Sequence, residues 1–374
     1  MAEPRKTLVM ESPGTSGGHE DPPPPRGVLG RLKGWLKRNE RLLWWGHSVW
    51  ALFLGLMVIL FAAKGFDHAR ILAATLGGAF LVMVILFRVF GQGDQQKVKV
   101  EERRTLRLSF LGMTYVLKNL YQGMLFFVLP FYWKSSALDS INAWFVFVLG
   151  VLAILSTLDL VFDNLLMRYK VMAAIFYAVT LFACMNLVLP AFLPNIPTLV
   201  SLLASTALSV FAFWLLHFPL ATLREKGTWV TLGSIAVAAM VAMYFARVAM
   251  PPVPLYVTHA GVGLGPLGDG RLEVEVTRIH KSKLSDFYAV SDVVMPGGEG
   301  DSFRHVWRHK TEAMRHQADL EAAVVHKGSD QTVRVQSKLP IDRLAAMDPV
   351  GAWVVDIVTN DDQIVGRTRF EVIE

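Results

Sequence analysis

The chain is poor in cysteine, in charge and in recognisable catalytic signatures. Its 374 residues include one cysteine, Cys184, so no disulfide forms within the chain and the redox compartment cannot be read from it. Charged residues make up 18% of the sequence against 53% hydrophobic, where soluble domains average roughly a quarter charged. That shortage argues against a wholly soluble protein. HExxH does not occur, and the one match to GxSxG, Gly14 to Gly18, lies in the polar, Pro- and Gly-rich first 26 residues and not between a strand and a helix, which leaves neither a nucleophile elbow nor a zinc-protease helix. No cleavable signal peptide is visible, because the first 26 residues are polar and contain Asp21 followed by prolines at 22–25.

What is present is apolar sequence, unevenly spread. Runs long enough to cross a hydrocarbon core (about 20 residues) fall near 43–63, 71–90, 109–132, 141–161, 171–193, 197–216 and 227–247. Beyond Pro251-Pro252-Val253-Pro254, polar and apolar residues alternate as in a soluble domain. The net charge of +6 comes wholly from the first part, because acids outnumber bases after Ala249. Its basic residues gather in alternate connections, among them Lys97, Lys99, Arg103, Arg104, Arg107, Arg168, Lys170, Arg224 and Lys226. Basic cytoplasmic flanks produce that pattern, and nucleic acid is not an expected partner.

The third run is interrupted by Lys118, Asn119 and Gln122. Counting it as a span keeps the basic connections on one side; omitting it puts Arg168, Lys170, Arg224 and Lys226 outside. Seven crossings are therefore expected, with the amino terminus cytoplasmic and the carboxy-terminal domain on the far side, the periplasm of a Gram-negative cell. Residues 1–27 read as a disordered tail. Residues 28–42 read as a basic amphipathic helix, either lying on an anionic membrane surface or forming a solvated flank that follows the orientation rule. The helical domain occupies 43–249, and 250–254 is a Pro-rich linker.

Residues 255–374 predict an all-β domain. LEVEVTRIH (272–280), FYAVSDVVM (287–295), FRHVWRH (303–309), QTVRVQSK (331–338), GAWVVDIVT (351–359) and QIVGRTRFEVI (363–373) have strand composition. The last two are joined by Asn360-Asp361-Asp362 as a hairpin. MRHQADLEAAVV (314–325) is ambiguous, since its first part also fits a helix. Six or seven short strands suggest an immunoglobulin-like sandwich.

The stretch FRHVWRHK (303–310) carries the densest chemistry. On a strand, Phe303, His305, Trp307 and His309 share one face, and Arg304, Val306 and Arg308 the other. His305 and His309 then stand roughly 13 Å apart, too far to share a zinc ion bound at about 2.0 Å. No metal, cofactor or catalytic constellation is expected, and the protein is not read as an enzyme.

His305-Val306-Trp307, Ser337-Lys338, the Gly351, Trp353, Val355 and Asp356 pattern, Gly366, and Phe370 with Val372 together resemble a bacterial carboxy-terminal domain, the domain of unknown function twenty-nine fourteen. The membrane half, with NLYQGMLFFVLPFYW (119–133), resembles a companion uncharacterised family, numbered fifty-nine twenty-four. The resemblance implies a bacterial membrane protein and brings no activity. Asp362 stands where the first family has a turn glycine, which predicts a looser turn. Val335 and Gln336 replace a Thr and an aromatic there. A shared binding surface would include His305, Trp307, His309, Ser337 and Lys338.

A second candidate site lies within the membrane. Lys118, Asn119 and Gln122 line a polar face of the third run, and Asp159 in the fourth is placed to pair with Lys118. Such a cluster makes either a packing network or a solute path. The fold expected is thus an all-α membrane bundle of about seven helices followed by an immunoglobulin-like sandwich. The expected function is a periplasmic binding module held in the inner membrane, with a small-solute transporter or channel as the alternative. Its partners are the lipid bilayer and an envelope protein or cell-wall component.

Overall fold

A computed structural model describes Gly78 and residues 121–158, 170–217, 220–266, 270–297, 299–310, 319–321, 324–329, 332–341 and 348–374. The expected tail, the basic helix and the first two runs lie outside these residues, Gly78 excepted. So do Lys118, Asn119 and Asp159, and most of 314–325.

Helix α1 covers 121–134, followed by α2 (Ala143–Thr157), α3 (Lys170–Phe192), α4 (Thr198–His217) and α5 (Lys226–Ala246). Among the described residues, three helical windows are long and apolar enough to cross a membrane: Ile175–Phe192, Thr198–Leu215 and Lys226–Ala249. The fourth predicted run, 141–161, is a shorter helix. Ser156 and Thr157 turn their hydroxyls back onto the Ala153 and Ile154 carbonyls, and Leu158 leaves helical geometry. Fifteen residues rise about 22 Å, less than a hydrocarbon core of about 30 Å.

Inside the bundle, three hydroxyls are spent on carbonyls one turn back: Thr180 on Phe176, Thr206 on Leu202 and Ser209 on Ser205. That is how polar residues survive without water. Tyr132 donates to the Ala183 carbonyl (3.2 Å) and accepts from the Asn186 amide (3.1 Å), tying α1 to α3. Leu125, Phe131, Leu149, Phe176 and Leu181 fill the space between. The outward residues are apolar too; Trp144, Phe147 and Ile154 on α2 and Trp229, Val230, Val237 and Phe245 on α5 are all exposed. A surface of that kind suits lipid and not water.

Among the described residues the carboxy-terminal part is all β, with ten strands where six or seven were expected. One sheet, sheet A, has the order β2-β1-β4-β8-β7; sheet B has β3-β10-β9-β5-β6. Their ranges are β1 Tyr256–Pro266, β2 Leu272–Glu275, β3 Arg278–His280, β4 Phe287–Val294, β5 Phe303–Lys310, β6 Asp319–Glu321, β7 Val324–Ser329, β8 Thr332–Lys338, β9 Gly351–Thr359 and β10 Ile364–Ile373. Strand β1 was not anticipated. The segment 272–280, read as one strand, divides into β2 and β3, which belong to different sheets.

The sheets meet face to face around Phe287 of sheet A and Trp307, Trp353 and Phe370 of sheet B. Phe370 lies 4.9 Å from Phe287 between ring centres and stacks on Trp353 at 5.9 Å. The β9–β10 hairpin forms as expected, but its turn is tight. Asp362 takes φ 65°, its amide reaches the Thr359 carbonyl (3.1 Å), and the Thr359 amide bonds to the Gln363 carbonyl (3.0 Å). A short acidic side chain tolerates this left-handed conformation, so the looser turn expected from Asp362 does not form.

Candidate functional site

Alternation along β5 places Phe303, His305, Trp307 and His309 between the sheets, as their spacing requires. His305 and Trp307 are fully buried, and His309 and Ser337 are 4% and 2% exposed. They are therefore not the binding surface that the resemblance implied. Only Lys338 reaches the surface, where its ammonium lies 5.4 Å from the Tyr288 ring centre and 3.8 Å from Asp286.

The buried set is a cross-sheet polar bridge. His305 of sheet B meets Ser291 Oγ through Nε2 (3.1 Å) and Ser337 Oγ through Nδ1 (2.7 Å), both on sheet A. Trp307 Nε1 donates to the same Ser337 oxygen (3.3 Å). The two bonds are compatible if Ser337 donates to Nδ1 while the His305 Nε2–H donates to Ser291. His309 bonds the Val350 carbonyl (3.1 Å) and lies on Trp353 at 4.6 Å. Both histidines hold the interior together, each buried polar atom being matched. Among the described residues, no group of three or more ligating side chains is placed to hold a metal.

The even-numbered face of β5 carries the feature that the sequence did not announce. Val306, Val358 and Ile364, on the outer face of sheet B, pack against Ala137 of the α1–α2 connection and Val248 after α5. Polar contacts surround this patch. Asn142 Nδ2 donates to the Ile364 carbonyl (2.8 Å). Arg367 donates to the Asp139 carbonyl (2.7 Å), and Arg369 pairs with the Asp139 carboxylate. Arg247 donates to the Asp361 carbonyl (2.8 Å). The α3–α4 connection joins as well: the Glu299 amide donates to the Pro194 carbonyl (2.8 Å) and Thr198 Oγ1 to Gln363 (3.0 Å).

Two carboxylates are central to this junction. Asp356, fully buried on β9, accepts from Arg367 (3.1 Å to Nη2) and pairs with Arg308 (3.0 Å). It thereby orients the guanidinium that grips Asp139. Asp301, 8% exposed, accepts the Thr198 amide at 2.9 Å, at the first turn of α4. Burial pushes its carboxyl up to about 6, with repulsion from Asp361 adding and the Thr198 hydrogen bonds opposing. A helix start favours an anion there, yet the cost of leaving water is larger.

The Pro-rich segment is part of the same junction. Pro251 to Pro254 are all buried; Val253 lies in the helical core and the next residue but one, Leu255, in the sandwich core. What reads as a tether is a buried seam. All described helices and strands accordingly fall in one compact unit.

The family model described as Family of unknown function (DUF5924) matches residues 31–269. The chain belongs to that family. The DUF5924 match runs past the seam to include all of β1, the strand paired with both β2 and β4. It leaves outside the strands that carry His305, Trp307 and Trp353. No curated protein matches the chain. Of the intramembrane cluster, Gln122 is described and buried; Lys118, Asn119 and Asp159 lie outside the described residues.

Proposed function

We propose that this DUF5924 protein is a non-enzymatic bacterial envelope protein. Its apolar helices fix it in the inner membrane, and an immunoglobulin-like sandwich on the periplasmic side acts as a binding module. The observation that carries the reading is the junction. Three connections, 135–142, 193–197 and 247–254, all touch the sandwich, and these are the connections that charge distribution assigns to the outer side. A loosely tethered domain would bind without informing the membrane. A domain bonded to the first turn of α4 and the end of α5 passes a load on its strands directly to those helices. The two histidines that came nearest to a catalytic pair are both engaged in structural bonds, which supports a role in binding over chemistry.

Cys184 is buried, so a single added thiol reports sidedness cleanly. Lys283→Cys, at an exposed position, should react with a membrane-impermeant maleimide in intact spheroplasts. Labelling only after lysis would put the sandwich in the cytoplasm and end the proposal.

A further inference from the structure

Sheet B spends its outer face on the helix ends, so recognition falls to sheet A. Its outer face holds a cleft of about 380 Å³, within the range of small-ligand sites (about 300–1,000 Å³). The floor is Val290 of β4, outward-pointing yet 2% exposed, beside its register partner Gly261 of β1. One wall is His259 with Glu275, 2.7 Å apart. The other is Asp292, held by Arg334 through both Nε (2.7 Å) and Nη2 (2.9 Å). Arg271 completes the rim.

The glycine is required by this arrangement. A Cβ on Gly261 would stand 2.8 Å from Oε1 of Glu275, so any side chain there would push the carboxylate off the sheet. The Arg334 hydrogen bonds hold the Asp292 carboxyl below its ordinary range, which keeps it ionised and an acceptor.

We infer that this cleft binds an uncharged saccharide. Two arginines face two carboxylates, so the lining has no net charge to offer an ion. A charged or zwitterionic ligand would have to compete with the Asp292–Arg334 pair already made. A hydroxyl joins such a pair without breaking it, because a carboxylate has about four lone-pair sites and a guanidinium five N–H groups. Hydrogen bonds to charged groups are the stronger kind. Vicinal hydroxyls span an acceptor and a donor at once. The inference deepens the binding-module reading and rests on it.

The test uses the full chain in lipid nanodiscs, free of glycosidic detergent, titrated calorimetrically with maltotriose and with triacetylchitotriose. Sodium phosphate and glutamate serve as the charged probes. Saturable binding of a saccharide, weakened about tenfold or more in Asp292→Asn/Arg334→Gln, is the expected result, the loss of one or two such hydrogen bonds. Glu275→Gln, on a different strand, should weaken it likewise and serves if the double variant fails to fold. No heat with either saccharide, binding unchanged in the variants, or preferential binding of phosphate or glutamate would overturn the inference. Absence of binding with Lys283→Cys labelled from outside removes the ligand alone; labelling confined to lysed cells removes the parent reading as well.

Discussion

Replacing Asp301 with asparagine should tighten the junction at neutral pH. Its carboxyl titrates near 6 in the folded chain against an ordinary 3.8. The folded state therefore holds this proton more tightly than the unfolded state. The group's contribution is most favourable below about 4, falls as pH rises towards 6, and stays at its least favourable above that. Two pH units at about 1.4 kcal/mol each give a ceiling of about 3 kcal/mol. Asparagine keeps an oxygen for the Thr198 amide but gives a weaker bond than a carboxylate, which returns part of the gain. A net 1–2 kcal/mol, approximately, should remain. Hydrogen exchange of the first turn of α4, compared between the two proteins at one pH, reads this directly. At pH 7.5 the variant should exchange roughly 5- to 30-fold more slowly there. That advantage should shrink as pH falls from about 6 towards about 4. An advantage independent of pH, or a variant that opens more readily at pH 7.5, would refute the reasoning.

Asp356→Ala strands Arg367 and Arg308 without their buried carboxylate and should cost about 3–5 kcal/mol, read as a lowered unfolding midpoint in nanodiscs. His305→Ala removes the bridge between Ser291 and Ser337 and leaves a cavity, at about 2–4 kcal/mol; thermal unfolding should show the loss, and saccharide affinity should not change. Gly263→Ala would set a Cβ 2.0 Å from the Val274 carbonyl and should loosen β2 by about 1–3 kcal/mol, seen as faster exchange of the Leu272–Glu275 amides.

Much of the architecture was legible because it repeats a period. Alternation gave the faces of β5, and the Asn360-Asp361-Asp362 stretch marked the hairpin. Strand β1 escaped because Gly261, Gly263 and Gly265 dilute its strand character, although close approach of β2 is what demands two of them. The split of 272–280 was hidden because Val276 and Thr277, where the chain crosses between sheets, look no different from strand residues. The supposed binding surface was misplaced for a related reason: His305 and Ser337 look like surface chemistry until both prove to point inward at each other. The junction left no signal at all. Val306, Val358 and Ile364 are ordinary sandwich residues in sequence, and only the fold shows that they face outward onto Ala137 and Val248. A run of prolines likewise says nothing about burial.

Strand β3 runs parallel to β10, with Arg278 beside Glu371 and His280 beside Ile373. An early strand of the domain thus waits for a late one, and sheet B stays open throughout the synthesis of everything between. Such distant pairing is slow to assemble. By then the helix ends are already made and can serve as the mould on which the last layer sets. A ribosome that stalls between Lys310 and Gly351 would release a chain with β3 bare, an adhesive border inviting union with its siblings.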